Sequence, residues 1–208
     1  MTTTGPPIVV CGGMTHTKTH RRSSLVLAAL AAFVLALGPG PVEGHASDPA
    51  PVPPFVLAHW ERLIGTWIAD NTAFKDASDP NEAFGIEWEW GLGRKSLKGR
   101  LYGIAKGAEI RTYWDLHEYW HPGEGTLIAT QHAANGTFGS GPQELQRDGS
   151  SEMVQTFWDP VARTTTRVGH RARLEGDTHT TISFEIDASG TWTPRRTYVW
   201  KRQRRSGA

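Results

Sequence analysis

The chain has 208 residues, with 22 Lys and Arg against 21 Asp and Glu, for a formal charge of +1. Near-neutrality argues against nucleic acid as a general partner. The single cysteine, Cys11, lies close to the N-terminus. The rest of the chain therefore has no disulfide, thiolate nucleophile or cysteine-based zinc knuckle.

Met14 to Ala46 reads as a secretory signal. Lys18, Arg21 and Arg22 supply positive charge, Leu25 to Leu37 an uncharged apolar core, and Gly44-His45-Ala46 a small-residue cleavage site. The apolar core has about thirteen residues, short of the roughly twenty that a spanning helix needs. Export to the periplasm or the extracellular space is expected, with cleavage near Ala46 and no stable membrane insertion afterwards. An uncleaved anchor is the alternative. The residues before Met14 read as an extension or a mis-set start. Setting aside Lys18, Arg21, Arg22 and Glu43 leaves the exported part with a formal charge of −1. All nine tryptophans lie in that part, where large aromatics supply core volume and faces for stacking ligands.

Residues 47–54 form a proline-rich leader, and Phe55 to Leu63 has the spacing of a short helix, with Leu57, Trp60 and Ile64 on one side. From there period-2 alternation dominates to residue 202, before a basic tail at 203–208. Phe84, Ile86, Trp88 and Trp90 alternate with Gly85, Glu87 and Glu89. Trp114, Leu116, Glu118 and Trp120 share a face, opposite Asp115, His117 and His121. In Thr164 to Glu175, Val168, His170, Ala172 and Leu174 alternate with arginines. After the turn at Glu175-Gly176-Asp177, Thr180, Ile182, Phe184 and Ile186 alternate with His179, Thr181, Ser183 and Glu185. The apolar set in each strand is expected to face inward. Further turn signals at Asn135-Gly136, Asp148-Gly149 and Ser189-Gly190 bring the count to about ten strands. Regular short strands with one apolar face suit a closed antiparallel meander, which leaves no exposed edge.

The opening Gly65-Thr66-Trp67, the helix before it, and the closing Gly190-Thr191-Trp192 with Tyr198 and Arg202 resemble the calycin superfamily of lipocalins and fatty-acid-binding proteins. Within it the chain is most similar to uncharacterised exported bacterial proteins that share a first-strand Gly-x-Trp. The resemblance implies an all-β, calycin-like up-and-down barrel of about 8–10 strands with a short N-terminal helix. It also implies structural roles for Gly65 and Trp67, with Arg202 or Lys201 packing over the tryptophan ring. The haem-binding branch of such barrels shares the Gly-x-Trp opening. The final-strand histidine of that branch has no counterpart here, because His170 and His179 lie earlier.

His117-Glu118-Tyr119-Trp120-His121 matches H-E-x-x-H in form. A helix would place both histidines on one metal, but Pro122 and Gly123 follow at once. In a strand, positions four apart are separated by roughly 13 Å. No metal site, cofactor or catalytic residue is assigned.

The alternation instead gathers polar groups among aromatic ones. Glu118 and His170 lie on apolar faces, His132 follows Ile128 and Thr130, and Arg196 and Tyr198 share a face with Trp200, though Thr197 and Val199 are an equally open inward set. The expected ligand contacts are Trp88, Trp90, Trp114, Glu118, His132, His170, Phe184 and Tyr198. A few polar groups in an apolar pocket orient a small ligand. The expected function is therefore binding of a small, largely apolar or aromatic ligand inside the barrel. A His/Glu acid–base enzyme in the same cavity and a filled, partner-binding barrel are the alternatives.

Overall fold

The period-2 segments close on themselves. The computed structural model describes residues 51–204; the expected signal, Met14 to Ala46, lies outside them. Helix α1 (Pro54–Leu63) is followed by ten strands: β1 (Gly65–Asp70), β2 (Ala83–Trp90), β3 (Ser96–Ala105), β4 (Ala108–His121), β5 (Thr126–Ala133), β6 (Phe138–Leu145), β7 (Ser150–Asp159), β8 (Thr164–Glu175), β9 (Thr178–Ile186) and β10 (Trp192–Arg202). Each strand pairs antiparallel with the next, and β1 pairs with β10, so the sheet is an up-and-down barrel with no free edge.

Helix α1 plugs one end. It begins at a proline, whose fixed φ suits a first helical turn and whose missing N–H is not needed there. Val56, Trp60 and Leu63 form its buried face, packed against Trp67, Leu97, Leu127, Leu174 and Trp200. Gly65, at φ +118°, turns the chain from helix into β1, and a Cβ there would sit 3.3 Å from the Arg202 guanidinium. Trp67 is buried beside it and donates from Nε1 to the Leu63 carbonyl oxygen at 2.7 Å. Arg202 pairs with Trp67 across β1 and β10, and its guanidinium lies 4.1 Å from the ring centroid. It also donates to the carbonyl oxygens of Arg62 and Ile64. One side chain thus ties the last strand to the end of the plug and caps the first-strand tryptophan.

The face assignments hold in most strands and invert in β5, at His132, and in β9. On β2, β4 and β8 the expected sets point inward, with Ile86, Trp88, Leu116, Glu118, His170 and Ala172 all lining the interior. On β10 the inward set is Tyr198 and Trp200, which pair with Thr181 and His179. On β9 the expectation fails: His179, Thr181 and Ser183 line the interior, so Ile182, Phe184 and Ile186 face outward. Phe184 and Ile186 are nevertheless only 8% and 6% exposed. Trp192 packs edge-on against Phe184 at 5.2 Å, and the Arg171 guanidinium lies over both rings. Alternation distinguishes two faces of a strand. It does not say which is inside when a private cover shields the outer one.

Candidate functional site

Between the helical plug and the far end of the barrel lies a cavity of ≈ 170 Å³. Its two sides differ chemically. Strands β2 to β4 present Ile86, Trp88, Leu101 and Leu116, an apolar wall. Trp88 lies flat because Gly99, its partner on β3, leaves room; a Cβ there would stand 2.4 Å from the indole. Strands β6 to β9 present Gln143, Ser151, His170, His179, Thr181 and Ser183, a polar wall carrying no acid. His59 and Leu63 of α1 form the floor, and Tyr198 and Trp200 join the two sides.

Glu118 is the carboxylate of this cavity and is 6% exposed. Its Oε2 accepts a hydrogen bond from Trp60 Nε1 at 2.9 Å; Oε1 has no partner among the described residues. Burial disfavours the charged form and pushes the carboxyl up to about 7, against the opposing pull of the Trp60 hydrogen bond. The histidines shift the other way. Burial holds His170 at about 4. His59 and His179 are also held at about 4, by burial first; for His59 the charges of His179 and Arg62 add to it, and for His179 that of Arg62. Near neutral pH all three imidazoles are uncharged, and Glu118 is balanced between its two forms.

Several polar atoms here lack protein partners. His59 Nε2, His170 Nε2 and Gln143 Oε1 are buried with no hydrogen bond among the described residues. Gln143 reaches Ser151 Oγ through Nε2 at 3.5 Å, and Trp200 Nε1 donates to Thr181 Oγ1 at 3.0 Å. Buried polar atoms are nearly always satisfied by protein or ordered water, and these open valences lie on the floor (His59) and the polar wall (His170, Gln143), where water or a ligand's polar groups would complete them.

The far end is closed by polar and aromatic groups. Gln131 Nε2 donates to Gln155 Oε1 at 2.7 Å, and beyond them Trp114 meets Phe157 edge-on at 5.7 Å. Arg196 stacks over Tyr198 and Phe74 at 4.4 and 4.6 Å and donates to Asn71, whose Nδ2 in turn donates to Asp79 and to the Asn81 carbonyl oxygen. The segment between β1 and β2 is held against the barrel mouth by these contacts.

Of the expected ligand contacts, Trp88, Glu118, His170 and Tyr198 line the cavity. Trp90 faces inward too low to reach it, packing edge-on against Trp60 at 6.2 Å. Trp114 also points inward but belongs to the far-end pair with Phe157. Phe184 lies on the outer face of β9. His132 is exposed on the outside, its ring 4.7 Å from that of Phe138, because Leu127, Ala129 and Gln131 take the inward positions of β5. His117 and Glu118 belong to opposite faces of β4, as strand geometry requires, and no metal-ligand cluster occurs among the described residues. Sequence reasoning missed His59, Gln143, Ser151, His179, Thr181 and Ser183. The signal for His179, Thr181 and Ser183 was present as the polar half of the β9 alternation. For His59, the i, i+4 spacing to Leu63 was available.

No protein-family model matches the chain, and no curated protein sequence does. Among solved structures, the crystal structure of Rv2717c from M. tuberculosis is similar, with a TM-score of 0.49 and 15% identity, over 74% of this chain and 99% of that one.

Proposed function

We propose that this protein is an exported carrier that holds a small, largely apolar or aromatic ligand inside its barrel. The observation that carries the reading is the cavity of ≈ 170 Å³ with one apolar wall facing a polar wall that bears the unpartnered His170 Nε2 and Gln143 Oε1. A dry apolar cavity of about 150 Å³ binds benzene in another protein. This one therefore suits a single six-membered ring with a short polar arm. Leu101, Leu116 and Trp88 would take the ring, while Glu118, His170 and Gln143 would fix its orientation. Kinship with the calycins is supported by Gly65, Trp67 and the Arg202 guanidinium over the indole. Export rests on the basic and apolar segments between Lys18 and Leu37, and N-terminal sequencing of the secreted chain tests it: a mature start near Ser47 is expected, and retention of Met14 contradicts it.

Quenching of tryptophan fluorescence by single-ring compounds tests the carrier reading, with Ala172→Phe as the control. Ala172 lines the cavity, so a phenyl group there occupies the ligand's space. Saturable quenching that disappears in the folded variant is expected; unchanged quenching in that variant would place the binding elsewhere.

A second reading, acid–base catalysis in the same cavity, draws on the Glu118 carboxyl at about 7, a value suited to exchanging protons at neutral pH. Turnover lost in Glu118→Gln with binding retained would favour it over simple carriage.

A further inference from the structure

The charge pattern of the cavity narrows its occupant. Glu118 lines the cavity and brings a carboxyl whose Oε1 has no partner among the described residues. Among the described residues no lysine or arginine lines the cavity to neutralise it. Arg62, whose charge reaches His59 and His179, donates to the Leu174 carbonyl oxygen. Arg196, at the far end, donates to Asn71 and stacks on the rings of Phe74 and Tyr198, its Nε unpartnered among the described residues; it does not line the cavity. The other titratable groups lining the cavity are His59, His117, His170, His179 and Tyr198; burial lowers the four histidines and raises the tyrosine, so all are neutral near pH 7. The only formal charge the interior can offer a ligand is therefore negative. Trp88 and Trp200 line the same cavity with electron-rich indoles, which favour a cation.

We propose that the occupant is a small organic amine bound as its ammonium ion, the nitrogen donating to Glu118 Oε1 and the apolar body lying against Trp88, Leu101 and Leu116. This deepens the carrier reading and rests on it. An anionic ligand is disfavoured, since it would force Glu118 to stay protonated and would itself be buried with no cation to pair with. A neutral ligand would leave Glu118 either ionised and uncompensated or protonated.

Before binding, part of the Glu118 population carries a proton; the ammonium ion displaces it to solvent, leaving a carboxylate–ammonium pair. His59, His170 and His179 are held at about 4, and burial lowers His117 as well, so Glu118 dominates the titration of the cavity between pH 6 and 8. With Glu118 at about 7, amine affinity rises by about tenfold from pH 6 to pH 8, and binding at pH 6 releases close to one proton.

The test uses a matched series: 2-phenylethylamine, its neutral analogue 2-phenylethanol, and 3-phenylpropanoate. Calorimetry at pH 6 and pH 8, in two buffers of different ionisation heat, reads affinity and proton release together. The amine is expected to bind at least about tenfold tighter than the alcohol at pH 8, and the acid not to bind. In Glu118→Gln, which keeps an oxygen for Trp60, amine affinity falls about tenfold or more and alcohol affinity stays. If the alcohol or the acid binds as tightly as the amine, the amine assignment is overturned and the carrier reading stands. If none of the three binds, both fall. Should Glu118→Gln fail to fold, proton release and the pH 6 to pH 8 affinity ratio in the unaltered protein decide alone: a flat ratio without proton release overturns the proposal.

Discussion

Replacing His170 with glutamine isolates the energetic consequence of placing a neutral imidazole on the cavity wall. His170 is displaced from 6.5 to about 4 by burial alone, with no charged neighbour contributing. At about 1.4 kcal/mol per pH unit, this displacement corresponds to about 3 kcal/mol. The sign follows from proton counts. Between pH 6.5 and 4 the unfolded chain binds a proton at this residue and the folded chain does not, so stability falls as pH drops through that window. Above pH 6.5 both states are neutral and the residue contributes no pH dependence. Glutamine does not titrate, so the variant escapes the loss. Denaturant unfolding at pH 7.5, 6.5, 5.5 and 4.5 should show the variant gaining on the unaltered protein by about 2–3 kcal/mol between pH 7.5 and 4.5, whatever it loses in packing at every pH. Parallel curves across that range would mean that His170 is solvated and charged in the folded state, and the description of the polar wall would be wrong.

Glu118 should behave in the opposite sense. Its raised value makes the folded chain hold a proton that the unfolded chain has lost between pH 4.5 and 7, so Glu118→Gln should recover stability progressively over that interval, by about 3 kcal/mol at pH 7.5, relative to its difference at pH 4.5; a constant difference in the same denaturation series would count against burial. Trp67→Ala removes a fully buried indole from the plugged end and should cost about 3–5 kcal/mol in denaturant unfolding at pH 7; a loss below 1 kcal/mol would show that the barrel base does not depend on it. Gly99→Val forces a side chain into the Trp88 ring and should cost about 1–3 kcal/mol while blue- or red-shifting tryptophan emission; an unshifted spectrum at full stability would contradict the flat placement of Trp88.

The barrel itself was legible in the sequence because its strands alternate with period 2 and its turns carry glycine. The anchor at its base was legible because Gly65, Trp67 and Arg202 sit at fixed places in that order. The cavity was half legible. Trp88, Glu118, His170 and Tyr198 lie on strands whose apolar residues face inward, so the usual rule assigned them correctly. Phe184 was misplaced because β9 reverses the rule: its hydroxyl and imidazole face completes the polar wall, while Trp192 and Arg171 cover its apolar face from outside. His132 was misplaced because its strand is almost evenly divided between Ile128, Thr130 and His132 on one side and Leu127, Ala129 and Gln131 on the other. Trp90 and Trp114 face inward as expected, but alternation carries no information about depth along the barrel axis. The unpartnered atoms of His59, His170 and Gln143 are a property of three elements brought together from distant parts of the chain, which no local pattern encodes.

The most direct test of the interior binding site is a methyl NMR titration with a single-ring ligand such as 2-phenylethylamine. Leu101, Leu116, Ala129 and Ala172 point methyl groups into the cavity, whereas Ile182 and Val199 lie on the outer face. The account predicts saturable shifts confined to the first group. Shifts confined to the outer methyls, or none at millimolar ligand, would contradict it.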